Sequence, residues 1–262
     1  MSLHQVPSHL LKPLLLRSRE SLVDNGLVYD PIAAKACFHC EMAADCLHGD
    51  VEQKQLLHAT LTKLCDQRVN QFLQQNPYGL IINVGAGLDT RFYRLDNGCC
   101  HWIELDISEH LLWRQRLFHR NERYEHYCGS THDMSWLERL PHSVNVPVLI
   151  LCETALLDCT QPQVIEFIQV LSRHFTSAEL CMVLAGDLTE SKLGQKLGSD
   201  RYAHGLERPT KQLLTWFPWV QWIHALSPID SCCLRWKMWQ RWLKKIPLLK
   251  YRLTPVLVHI KW

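Results

Sequence analysis

No stretch of about 18 uncharged apolar residues occurs in this 262-residue chain, which argues against a membrane-spanning helix. The longest candidate, "PVLILCETALL", is broken by Glu153. The N-terminus, "MSLHQVPSHLLKPLLLRSRE", has no basic start and no small-residue cleavage site, so it reads as mature protein and not as a signal peptide. Internal repeats and low-complexity linkers are absent too. With 47% hydrophobic and 21% charged residues, the sequence is that of a globular chain burying one sizeable core, expected in the cytoplasm.

A second C-x2-C pair is also missing. Cys37 and Cys40, with Cys46 and His48 close by, have the spacing of half a zinc site. Without the other half, and inside a helical pattern ("DPIAAKACFHCEMAADCL"), the cysteines read as packed thiols and no metal is expected. Other cysteines (Cys128, Cys152, Cys181) fall inside predicted strands, which suits buried thiols in a reducing compartment.

Acid is missing from residues 231–262, which carry eight Lys and Arg, so the rest of the chain holds 20 basic against 26 acidic residues. Trp236, Trp239 and Trp242 recur at helical spacing among Arg235, Lys237, Arg241, Lys244 and Lys245. The pattern predicts a surface helix docking its aromatic face on the core. An anionic membrane surface and an acidic carrier protein are candidate partners for the cations. No nucleic-acid recognition module accompanies them.

Residues 1–77 are patterned as an N-terminal helical cap, with Asp30-Pro31 opening one helix and Asn76-Pro77 stopping another. From residue 78 to 262 the pattern alternates. Strands are expected at 80–84, 101–105, 123–128, 147–152 and 179–185, with helices at 108–120, 134–140 and 161–175 between them. "WVQWIHAL" and "YRLTPVLVHIKW" are strand-like, with Pro255 marking an edge or a bulge. Short apolar strands joined by crossover helices predict an α/β, Rossmann-like domain with a mostly parallel sheet covered on both faces.

"IINVGAGLDTR" (81–91) lacks the third glycine of a dinucleotide fingerprint, Thr90 standing in its place. Gly85 and Gly87 still supply a tight turn directly after the first strand. About twenty residues on, Glu104 and Asp106 end the second strand in "HWIELD", where a carboxylate suits ribose hydroxyls. Strand, G-x-G, strand and acid point to a nucleoside held at its ribose without a pyrophosphate. S-adenosylmethionine meets that description.

"NVGAGLDTRFYRLD", "WIELDISEHLLWRQRLF" and "GSTHDMSWLERL" resemble the leucine carboxyl methyltransferase-like family, which includes the polyketide O-methyltransferases that act on tetracenomycin-type compounds. The resemblance runs from "LVYDPIA" near residue 27 to the terminal strand. It implies a class I methyltransferase fold, with seven strands and the last antiparallel. By the same resemblance Gly85, Ala86 and Gly87 lie beside the methionine moiety and Asp106 takes the ribose. Ser130, Thr131 and His132 lie near the adenine, and Glu153 faces the amino group or sulfonium. The family's R-T-R-x-F-D run reads "LTKLCD" here, with Leu61 in place of the first arginine. Lys63 and Arg19 are then the candidate cations for the cofactor carboxylate.

The family's E-G-(V/L)-L-x-Y-L run becomes Glu153-Thr154-Ala155-Leu156-Leu157-Asp158-Cys159. Asp158 is a candidate base, a group that orients a substrate amine, or a cap for the next helix. Tyr202 and His204, in "RYAHGLERP", fall where the family lines its acceptor pocket; they and His132 are the candidate bases, though no histidine has a motif of its own. O-methylation of a small carboxylic acid or phenol in secondary metabolism is the expected reaction. A carboxylate needs no base, whereas a phenol does. Two alternatives stand beside it. One is a cyclase converting S-adenosylmethionine to azetidine-2-carboxylate and methylthioadenosine, with Tyr93, Trp136 or Tyr202 caging the sulfonium. The other is a binding protein without turnover.

Overall fold

The computed structural model describes residues 6–39, 47–140, 146–231 and 234–262. Among the described residues three helices come first: α1 (Ser8–Glu20), α2 (Pro31–His39) and α3 (Val51–Gln75). Asp50 caps α3 by accepting the Gln53 N–H at 3.1 Å, one of the donors that the first turn leaves unpaired. Cys40 and Cys46 of the cysteine cluster lie outside the described residues, among which no metal-binding group of side chains occurs.

Seven strands follow: β1 (Leu80–Val84), β2 (His101–Asp106), β3 (Tyr124–Cys128), β4 (Val148–Cys152), β5 (Glu179–Leu184), β6 (Trp222–Leu226) and β7 (Val256–Lys261). They form one sheet in the order β3-β2-β1-β4-β5-β7-β6. β1 to β5 are parallel, and β7 runs antiparallel between β5 and β6. Every residue of β1 and β4 is buried, as expected of central parallel strands covered on both faces. Pro255 immediately precedes β7, where its missing N–H costs the ladder nothing.

The connecting helices are α4 (Arg91–Leu95), α5 (Ser108–Leu117), α6 (Gln161–His174), α7 (Lys192–Gln195), α8 (Pro209–Trp216), α9 (Met238–Leu243) and α10 (Pro247–Lys250). On one face, α6 buries Val164, Phe167, Ile168 and Leu171, at i, i+3, i+4 and i+7. The opposite face is covered by α3, whose Leu57, Leu61, Leu64 and Val69 share a core with Ile81, Leu149 and Val183. The N-terminal helices are therefore continuous with the sheet: α3 is one of its layers, and α1 and α2 pack with Leu88 and Trp113 around its carboxyl end. The expected helix at 134–140 is a short 3-10 turn, Ser135–Arg139.

Candidate functional site: two adjoining cavities

In open parallel sheets ligands bind beyond the carboxyl ends of the strands, where neighbouring connections diverge. Between β2, β1 and β4 the chain leaves β1 through Gly85 (φ 67°) and Gly87 (φ 48°). A Cβ on Gly85 would stand 2.3 Å from the Cβ of Ala155, so this cradle admits glycine alone. The Gly85 N–H donates to the Leu105 carbonyl at 2.8 Å, which ties the turn to β2.

Asp106 ends β2 at the rim of the turn. Its Oδ2 accepts the Gly87 N–H at 2.6 Å, and its Oδ1 accepts from the Ile107 N–H and His110 Nδ1, each at 2.8 Å. That hydrogen bond raises the pKa of His110. The neighbouring acid, Glu104, is fully buried between Asn83, Tyr124 and Arg114. Burial pushes its carboxyl up to about 7, against the pull of Arg114. Of the two acids that end "HWIELD", Asp106 alone reaches the cavity, a space of about 310 Å³ that Gly85, Ala86 and Gly87 also line.

Behind the turn lies a buried charge network. Arg91 pairs with Asp66 at 2.6 Å, with Asp89 at 2.5 Å and with Glu153. Burial works against the charge on Asp89, but Arg91 and Arg17 hold its carboxyl well below the usual range. Glu153 is likewise desolvated, and Arg91 again wins, keeping its carboxyl below the ordinary value. Thr62 Oγ1 adds a hydrogen bond to Glu153 at 2.9 Å. Glu153 is thus an ionised carboxylate with its position fixed.

A second cavity of about 280 Å³ adjoins the first. His9, Pro13, His58, Glu153, Thr154 and Asp158 line both. Beyond this shared wall the second cavity is largely apolar, with Leu16, Leu57, Leu61, Leu157 and Val183. Polar groups gather at one side, where Asp200 receives Lys12 at 2.9 Å and Lys54 at 2.5 Å.

Gly85, Ala86, Gly87, Asp106, Glu153 and Asp158 are thus brought together around the first cavity, and Tyr202 lines the second. Asp158 does not cap the next helix: Thr160 and Gln163 form that capping box. Asp158 is exposed and lines both cavities instead, and among the described residues no donor pairs with it.

Several expectations are corrected. Lys63 is exposed on the outer face of α3, because Thr62 and Asp66, one turn apart, occupy the inner face. Arg19 is exposed on α1 and reaches Gln55 at 3.3 Å. Arg17, on the opposite side of that helix, faces the first cavity, bound to Asp30 at 3.1 Å and to the Leu88 carbonyl at 2.9 Å.

Ser130, Thr131 and His132 follow β3 at the same end of the sheet but line neither cavity. Their loop is held by the Trp136 indole, which donates to the Ser130 carbonyl at 3.2 Å. His204 has both ring nitrogens engaged by the backbone. Its Nδ1 bonds the Cys159 carbonyl at 2.9 Å and its Nε2 accepts the Ala185 N–H at 3.1 Å. Burial also lowers its pKa. Among the described residues no aromatic cage forms in the first cavity: Trp136 is buried, Tyr93 packs on Phe118 and Tyr124, and Tyr202 lines the second cavity.

Histidines take that place. His9 and His110 meet with their Nε2 atoms 3.0 Å apart at the first cavity. His58 lines both cavities, its Nε2 buried and without a hydrogen-bond partner among the described residues. Burial lowers its pKa to about 4, so the ring is neutral at physiological pH. The sequence held faint signals for two of them. His110 stands one turn after Asp106, and His58 one turn before Leu61, the position where the family arginine is replaced.

A glycine-cradled cavity at the strand ends, a carboxylate closing β2 and an antiparallel seventh strand define a Rossmann-like protein of the methyltransferase fold. Residues 14–211 match the leucine carboxyl methyltransferase family, and the chain belongs to it. The tetracenomycin polyketide synthesis O-methyltransferase TcmP of Streptomyces glaucescens is 24% identical over 171 residues, a match spanning 63% of this chain and 62% of that protein. In fold, a putative methyltransferase from Thermobifida fusca is similar at TM-score 0.58 and 14% identity, with 94% of each chain covered. A duf574 family protein from Streptomyces avermitilis is similar at TM-score 0.57 and 8% identity, covering 80% of this chain and 85% of its own.

Proposed function

We propose that the protein O-methylates a small, largely apolar carboxylic acid or phenol. The observation that carries this reading is the second cavity, apolar and separated from the first by side chains common to both. A cyclase acting on its cofactor alone has no use for such a space.

The first cavity suits S-adenosylmethionine. Asp106 would accept from the ribose, and the Gly85–Gly87 backbone would pass close to the methionine portion. Arg17 and Glu153, of opposite charge, would face its zwitterionic end. The bound cofactor supplies a methyl group already activated by its sulfonium. The chain's own task is then to hold a nucleophilic oxygen in line, worth up to about 7–11 kcal/mol when fully realised.

Leu57, Leu61, Leu157 and Val183 would enclose the apolar body of the acceptor and exclude water. Neutral His58 would add an uncharged side chain to the shared wall. Asp158, unpaired on the same wall, is placed to orient the acceptor. A role in secondary metabolism rests on the likeness to the tetracenomycin enzyme.

Mass spectrometry of the purified protein with S-adenosylmethionine, alone and with a panel of aryl and alkyl acids and phenols, tests this. Acceptor-dependent S-adenosylhomocysteine together with a methyl ester or ether is expected. Methylthioadenosine and a cyclic amino acid from the cofactor alone would sink the proposal in favour of the cyclase.

A further inference from the structure

The segment from Leu234 to Lys250 turns an amide inward and apolar side chains outward. Gln240 is fully buried, its Nε2 donating to Gln53 Oε1 at 2.8 Å and to the Lys196 carbonyl at 3.2 Å. Trp236 and Leu243 are buried beside it. Leu234 is 89% exposed, Met238 69% and Trp242 60%, and Ile246 and Leu248 are exposed as well. Met238 and Trp242 stand one turn apart on α9, opposite Gln240, with Leu234 just before that helix and Ile246 just after it.

Cations surround these side chains. Lys237, Arg241, Lys244 and Lys245 are all exposed, and the Lys245 ammonium lies 4.5 Å from the Trp242 ring centroid. The nearest acid in sequence, Asp230, is taken up by Lys250 at 2.8 Å from each oxygen. An acidic protein partner would be served by the cations alone. Exposed Leu, Met and Trp among them match a surface that is both anionic and apolar, where aromatic and aliphatic side chains enter the headgroup boundary and Lys and Arg meet the headgroups.

We propose that residues 234–248 dock the protein peripherally on an anionic lipid surface. The acid-rich remainder of the chain is repelled by that surface, which makes the docking oriented. The segment is braced on the helices that wall the cavities, through Gln53 of α3 and through an ion pair from Arg235 to Glu20 of α1 at 2.5 Å. The inference is independent of which acceptor is methylated.

The full-length protein is sedimented with vesicles of phosphatidylcholine alone and of phosphatidylcholine with one-third phosphatidylglycerol, at low and high salt. Binding to the anionic vesicles is expected, weakened by salt. It should fall at least roughly tenfold in Met238→Ser/Trp242→Ser and in Arg241→Glu/Lys245→Glu. Both variants alter exposed side chains, and calorimetric binding of S-adenosylmethionine verifies that each is folded. Three results would overturn the proposal: no binding to anionic vesicles, equal binding to neutral ones, or binding that both variants retain. Salt-sensitive binding to an acidic acyl-carrier domain without vesicle binding would overturn it in favour of a protein partner.

Discussion

His204 spends both ring nitrogens on the backbone, joining Cys159 after β4 to Ala185 after β5. Its value is therefore structural. His204→Ala should destabilise the fold by about 1–3 kcal/mol for each group left unpaired, seen as a lower melting temperature. Affinity for S-adenosylmethionine should stay within about twofold of wild type by calorimetry.

His110 behaves differently because its pKa lies above 6.5, the value of a free histidine, owing to the Asp106 hydrogen bond. The contact therefore adds stability that is complete below the unfolded pKa and is lost as pH rises through the folded one. His110→Ala should be less stable than wild type near about pH 6, and the difference should shrink toward about pH 8.5; chemical denaturation at both values reads this directly. At Gly85, alanine would meet Ala155 and adopt a φ of 67°. Gly85→Ala should cost about 1–3 kcal/mol and abolish cofactor binding in the same calorimeter.

At the scale of elements, the strands were legible because buried parallel strands are short apolar runs, and "LIINV" and "VLILC" are such runs. The glycine turn and Asp106 were equally legible, since both are set by position along the chain. Arg17 and Arg91 were not, because their partners arrive from distant elements and no local pattern distinguishes a buried arginine from a solvated one. The choice of Lys63 and Arg19 failed for a related reason: neighbours on a helix point about 100° apart, so a plausible residue can face solvent while the one beside it faces the site. The tryptophan stripe was legible only in part. Helical spacing placed Trp236, Trp239 and Trp242 on one inward face; Trp236 is buried, but it precedes α9, and within α9 Gln240 and Leu243 hold the inner side while Trp239 and Trp242 are exposed.

Arg91 joins α3, the glycine loop and the end of β4 through Asp66, Asp89 and Glu153. Arg91→Leu strands Asp89 and Glu153, which among the described residues have no other ion-pair partner, while Asp66 keeps Arg94 at 2.9 Å. A loss of about 3–5 kcal/mol is expected, read as a shift of the urea midpoint. Stability within error of wild type would show that the network is not a structural hub.

For the whole molecule, the sheet and α3 hold two cavities against one wall, with α1 over both. That division separates a site fixed by backbone geometry from one shaped by apolar side chains. The glycine turn lines the first cavity alone, whereas the E-T-A-L-L-D segment supplies Glu153, Thr154 and Asp158 to the wall that both cavities share. Calorimetric titration of S-adenosylmethionine into wild type and Asp106→Ala tests the assignment most directly. Saturable one-to-one binding to wild type, weakened at least roughly tenfold in a folded Asp106→Ala as a lost charged hydrogen bond requires, is the predicted result. Equal affinity in the two proteins would contradict the placement of the cofactor in the first cavity.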